Sequence, residues 1–158
     1  MCDLQVLLSN ALELFRQNVA ADTMSDIESV LSPLQMQAFL LMVNGSGVGP
    51  GIALLNSLDE NQLNRIRGMV PQNVLCLWVF IINMDIARWE ILQGAPPLMA
   101  FRGFMERLAS PIAPKMRLLN PGGCSGRVFN NLFLASGIRS PFSFGPYLTS
   151  LEYLNEQL

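Results

Sequence analysis

The side chains of this chain that could do chemistry form a short inventory. There are two carboxylate pairs, Asp59-Glu60 and Asp85…Glu90, three cysteines, Cys2, Cys76 and Cys124, and one glycine-rich stretch, residues 44–51. Paired carboxylates can divide general-acid and general-base roles, but they need a histidine, a metal or an activated nucleophile to act with. The chain has no histidine, and neither pair sits in a metal-ligand motif, so both read as helix caps and surface. Three cysteines are an odd number without framework spacing. They point to free thiols in a reducing compartment, and with no histidine beside Cys124 we expect no zinc. The alternating glycines of Asn-Gly-Ser-Gly-Val-Gly-Pro-Gly suggest a phosphate cradle. That cradle requires Gly-x4-Gly-Lys-Ser/Thr, or a strand in front; there is no lysine here, and the preceding segment is helical in pattern. The sequence therefore predicts no enzyme, no catalytic residue, no cofactor and no small-molecule substrate.

What remains is charge. The net charge of −2 conceals a division. Through residue 64, seven acidic residues face Arg16 alone, a net −6. From 65 to 139, nine basic residues face three acidic ones, a net +6, and the tail adds two glutamates. A block negative at the front and positive behind can stack head to tail, and its positive part can meet an anionic surface. The candidate basic face is Arg88, Arg102, Arg107, Lys115, Arg117 and Arg127, with lipid or RNA as partner. Each alone is an ordinary solvated residue, and Arg88 or Arg107 has Asp85 and Glu90 within pairing range. The candidate self-assembly residues are Arg65 and Arg67 on one side and Asp22, Asp26 and Glu28 on the other.

The elements that must position these groups are helices. Leu4, Leu7, Leu8, Ala11, Leu12 and Phe15 recur at helical spacing, predicting an amphipathic helix over 3–19. A short helix starts at Asp22 or Thr23 and ends by Leu31. Ser32 then caps a helix with Pro33 at its first position. That helix, ending at Val43, is apolar nearly all round, with Leu34, Ala38, Leu41 and Met42 expected on its inner face. It is the element around which the others should wrap. Beyond the glycine break come a short helix over 52–58 and an Asp59-capped helix with Leu63, Ile66 and Val70 inside. Gly68 and Pro71 mark a joint. A long apolar segment follows from Pro71 to about Leu92, whose core, 74–82, has strand-like composition but helical length. Helices are also expected over 98–108, 115–119, 125–136 and 147–157. No internal repeat is evident.

Apolar residues make up 51% and charged residues 14%, which excludes a disordered chain and leaves apolar surface over for partners. The longest apolar run has nine residues where a membrane span needs about 20, and no signal peptide is read at the start. The fold expected is all-α, two packed helical lobes without a sheet: an acidic lobe over 1–68 and a second lobe over 71–158, basic to 139 with an acidic tail.

Three patches, in order and spacing, resemble the N-terminal domain of an orthomyxovirus (influenza-type) matrix protein. They are Leu8 to Phe15 followed by Asp26-Ile-Glu28; Leu31-Ser-Pro-Leu34 opening an apolar helix; and Leu119-Asn-Pro-Gly122 with Ser125, Val128, Leu132 and Ala135 behind it. Together they cover about a third of the chain. The resemblance implies a non-enzymatic virion protein that polymerises beneath the envelope. It would bridge anionic lipid to the viral ribonucleoprotein, and reside in the host cytoplasm and nucleus and at the inner face of the plasma membrane. Two features of that family are missing. Its Lys/Arg-dense helix is reduced to Arg102 and Arg107, and its Cys/His cluster is not reproduced, so nuclear import and tight RNA binding are not implied. A second resemblance, Gln93-Gly94 with Phe101-Arg-Gly-Phe104-Met-Glu-Arg107-Leu108, is to the major homology region of retroviral Gag capsids, although the region's Glu is missing and the spacing from Gln93 is long. A cellular helical adaptor that receives an amphipathic partner helix is the third option.

Overall fold

The computed structural model describes residues 4–47, 49–109 and 114–121. These residues form eight α-helices and no strand, so the all-α expectation holds. In order they are α1 (Leu4–Asn18), α2 (Ala21–Val30), α3 (Pro33–Val43), α4 (Pro50–Ser57), α5 (Glu60–Met69), α6 (Gln72–Leu92), α7 (Pro97–Ala109) and α8 (Pro114–Leu119). The helices expected over 125–136 and 147–157 lie outside the described residues.

The punctuation works as the sequence dictates. Ser32 accepts the Gln35 N–H while the Gln35 side chain accepts the Ser32 N–H, a complete capping box with Pro33 at the first helical position. Asp59 and Gln62 build the same box on α5. α3 ends where Gly45, at φ 70°, turns left-handed. The N–H groups of Gly45 and Ser46 return to the carbonyls of Met42 and Leu41, which satisfies the last turn. A Cβ on Gly45 would come within 2.9 Å of the Leu12 side chain. α2 begins at Ala21, without a side-chain cap at Ala20. Asp22 therefore lies in its first turn.

The organising helix is α6, not α3. Every residue from Val74 to Asp85 is buried. A helix apolar on all sides needs cover on all sides, and α1, α4 and α7 supply it. The strand-like composition of 74–82 is overridden by this enclosure. Trp78 stacks edge-on against Phe39 and Phe15 at centroid distances of 5.2 and 6.5 Å. Phe80 does the same against Phe104 at 4.9 Å. α3 buries Phe39, Met42 and Val43 fully, with Met36 and Ala38 packed partly against the core. Leu34, expected inside, is 78% exposed, Leu41 is 48% and Leu40 is 42% exposed. Eleven residues cannot be wrapped on all sides when the 21-residue α6 already occupies the centre.

The helix break expected near 68–71 is present, between Met69 and Gln72, but one core runs through it. α6 packs on α1 and α4 from the front half, and α8 packs back onto α5.

The structure also contains a repeat that the sequence does not display. α2–α3 and α4–α5 are two helix–cap–helix units offset by 27 residues. The offset superposes Ile27 on Leu54, Leu31 on Leu58, Ser32 on Asp59, Gln35 on Gln62, Phe39 on Ile66 and Val43 on Val70. The apolar residues of all these pairs are buried. The two glutamines bond to each other reciprocally, Gln62 Nε2 to Gln35 Oε1 at 2.7 Å and Gln35 Nε2 to Gln62 Oε1 at 3.2 Å. Each also reaches the other unit's preceding helix, Gln62 the Val30 carbonyl and Gln35 the Ser57 carbonyl, both at 3.0 Å. Val30 and Ser57 are again 27 apart. The units are thus related by a local two-fold axis through the amide pair, with α2 against α5 and α4 against α3. Beyond the shared apolar spacing and the capping glutamine, the units share almost no residue identity, so no repeat is visible to inspection.

Candidate interaction surfaces

The glycine-rich turn does receive an anion, and the anion is Asp85. Both oxygens of this buried α6 carboxylate accept the Gly49 N–H, at 3.0 and 2.9 Å, and Oδ2 accepts the Gly51 N–H at 3.2 Å. Gly49, at φ 113°, and Pro50 open α4, and helix N-termini have free N–H groups that favour negative charge. Asp85 therefore caps α4 from another helix. A Cβ on Gly51 would meet the Met42 sulfur at 3.2 Å and Asp85 Oδ2 at 3.5 Å. The donors a phosphate would need are already spent on the protein's own carboxylate. Sequence spacing could not reveal this, because Asp85 is 36 residues from Gly49.

Asp85 is also separated from its expected carboxylate partner. Glu90 faces α7, where it pairs with Arg107 Nη2 at 3.4 Å without hydrogen-bond alignment. Arg107 Nε donates to Asn83 Oδ1 at 3.0 Å, and Asn83 donates to the Val79 carbonyl. Desolvation pushes the Arg107 pKa below its ordinary value, and Glu90 partly offsets this. Arg107, read as part of a basic face, is a half-buried strut between α6 and α7. The arginine stem covers apolar surface while its head is tied down.

The other candidates are distributed as follows. Arg88 is half-buried on α6, against the 45–50 turn and Leu41. Arg102 is exposed on α7. Arg65 and Arg67 are exposed on α5, and Arg67 Nη1 donates to the Leu118 carbonyl of α8 at 3.2 Å. Lys115 Nζ donates to the Asn56 carbonyl of α4 at 2.5 Å, and Arg117 is exposed on the same short α8. Packing α8 on α5 thus gathers Arg67, Lys115 and Arg117 around one helix pair, although Arg67 and Lys115 are far apart in sequence. Arg127 lies outside the described residues. Asp22, Asp26 and Glu28 are all exposed on α2, which packs along α5. Ion pairs join Arg16 to Glu13 and Arg107 to Glu90.

Two apolar features were not anticipated. One is the outer face of α3. The other is an open groove of about 540 Å³ between α4 and α6, lined by Ile52, Ala53, Ile86 and Trp89, where Trp89 is 51% exposed. A Trp near the end of an apolar helix gives little hint of which side it will show. Cys76, deep in α6, is disulfide-bonded. This corrects the free-thiol expectation at that position, since spacing along a chain does not say which sulfurs a fold brings together. No helix of the described residues is long and apolar enough to cross a membrane.

No protein-family model, no curated protein and no solved structure matches this chain.

Proposed function

We infer that this chain is a self-assembling structural protein of the viral matrix kind, non-enzymatic, that lines an anionic surface. The observation that carries the reading is the layout of exposed charge. Acidic side chains crowd α2 and basic ones gather on α5 and α8, with Asp22, Asp26 and Glu28 exposed on the one and Arg65, Arg67 and Arg117 exposed on the other. A molecule with exposed patches of opposite sign meets its own copy through a heterologous contact, which extends rather than closes. The basic patch offers a second attachment, to anionic lipid headgroups and more weakly to RNA in a ribonucleoprotein. Each basic residue close to an anionic bilayer is worth about 1 kcal/mol, so Arg65, Arg67, Lys115 and Arg117 together give weak, salt-sensitive adhesion. The family resemblance would put this at the inner side of a virion envelope and of the host plasma membrane. Co-sedimentation with acidic and neutral vesicles at two salt concentrations tests it. Binding to acidic vesicles alone, lost at high salt, is expected; equal binding to both removes the reading.

The adaptor alternative has one observation in its favour, the open α4–α6 groove with its exposed Trp89. A groove of this kind suits an amphipathic helix. Quenching or shift of the Trp89 fluorescence by a panel of such helices separates the two readings.

A further inference from the structure

The internal two-fold supplies a control for the surface of α3. α3 and α5 occupy equivalent places and repeat nearly the same pattern of exposure along their lengths. At the outward positions α5 carries Asn61, Asn64, Arg67 and Gly68, as a helix facing water should. At the equivalent positions α3 carries Leu34, Gln37, Leu40 and Leu41, all exposed. Internal packing does not demand these leucines, because α5 manages the same packing without them. A contiguous exposed apolar face of this kind marks an interaction site.

We propose that the outer face of α3 docks against the same face of a second copy, with the two helices antiparallel about a two-fold axis. Charge selects this occupant. α3 has no ionisable side chain, so the face does not repel its own copy. Its two ends are opposite in sign. Glu28 is exposed on the last turn of α2, which leads directly into α3. At the far end of α3 Arg88 lies beside Leu41, while Arg16, which bonds the Val43 carbonyl, is balanced by its ion pair with Glu13. Antiparallel pairing sets the acidic end of one copy against the basic end of the other. Leu34, Gln37 and Leu41 form one ridge at i, i+3 and i+7. In that arrangement Leu34 meets the second copy's Leu41, and Gln37 lies next to the axis, where two amides can bond reciprocally as Gln35 and Gln62 already do inside the molecule. An anionic bilayer is disfavoured as the occupant, because the face has no cation among its leucines.

Eleven residues give a strip about 16 Å long, too small for the roughly 1,200 Å² that a stable dimer buries. The contact is therefore weak alone and gains from neighbours in an assembly. In this it rests on the self-assembly reading above and supplies the closed contact that its open, charge-driven one lacks.

The test uses the full chain with Gln37→Cys and, in parallel, Asn64→Cys at the equivalent place on α5, both on the native cysteine background, under mild oxidation. A covalent dimer formed by Gln37→Cys and lost on adding Leu41→Glu, with Asn64→Cys giving none above wild type, is the expected result. It should persist at high salt, which separates it from the charge contact. Equal cross-linking at both positions, or none at Gln37→Cys, overturns the proposal. If wild type still forms salt-sensitive assemblies in that case, the self-assembly reading survives and only the α3 contact is lost. A Leu41→Glu variant that binds acidic vesicles less well while its association is unchanged overturns it in favour of lipid.

Discussion

Asp85→Asn removes the charge from the α4 cap while keeping the side chain's shape. In the native protein one carboxylate serves two backbone donors, the N–H groups of Gly49 and Gly51, at 2.9–3.2 Å. An amide oxygen at the Oδ2 position can still accept both N–H groups, while the NH2 replaces Oδ1 opposite the Gly49 N–H. One charge-assisted bond is lost and the other two become neutral. Bonds to a charged partner contribute about 1.5–3 kcal/mol each, and neutral ones about 1. The anion's interaction with the α4 dipole adds up to about 1 kcal/mol. Gly51 is buried and cannot turn to water, whereas Gly49 is half-exposed and can. The expected loss is about 2–3 kcal/mol. With a urea slope of about 2 kcal/mol per molar, the midpoint falls by about 1 M. Urea titration followed by far-UV circular dichroism reads this directly. A shift below about 0.25 M, or 0.5 kcal/mol, would refute the view that Asp85 holds the turn as its internal anion.

Three further outcomes follow from the same coordinates. A double-mutant cycle on Gln35→Ala and Gln62→Ala should show coupling of about 1–2 kcal/mol in urea unfolding, because each amide is left with a partner it alone satisfied; additive effects would remove the clasp. Arg107→Gln should cost about 2 kcal/mol of stability by leaving Glu90 and Asn83 under-served in a partly buried site, yet leave binding to acidic vesicles unchanged, whereas Arg67→Glu with Arg117→Glu should abolish that binding with little effect on unfolding. Bonds from Arg16 and Gln17, with the Arg16 charge behind them, hold the Glu13 carboxyl below its usual pKa. Its stabilisation is therefore present above the ordinary glutamate range and is lost as pH falls through the lowered value. Stability curves of wild type and Glu13→Gln should converge in acid, and parallel curves down to low pH would contradict this.

Local signals in the sequence proved dependable where they depend on local physics. Ser32, Pro33 and Asp59 set helix starts because a cap is satisfied by residues three positions away. Gly45 stops α3 for a similarly local reason. What failed depended on the whole molecule. α3 and α6 are both apolar all round, and no periodicity says which of two such helices takes the centre. Length offered a clue: only α6 is long enough to touch α1, α4 and α7 together. The basic face was half legible. Exposure of Arg102 and Arg117 is what any arginine does by default. The inward turn of Arg107 required Asn83 to be brought beside it by the α6–α7 packing, and the gathering of Arg67 with α8 required a fold-back of about fifty positions. The two-fold relation was hidden because two units can share a geometry through apolar spacing and one capping glutamine alone.

The most direct test of the assembly account is sedimentation velocity of the full chain at high concentration, at low and high salt, compared with Arg65→Glu/Arg67→Glu. The account predicts large, open-ended species for wild type at low salt that shrink to small ones as salt rises, and no such species for the charge-reversed variant at any salt. A wild type that stays monomeric at low salt, or assemblies that ignore both salt and charge reversal, would contradict it.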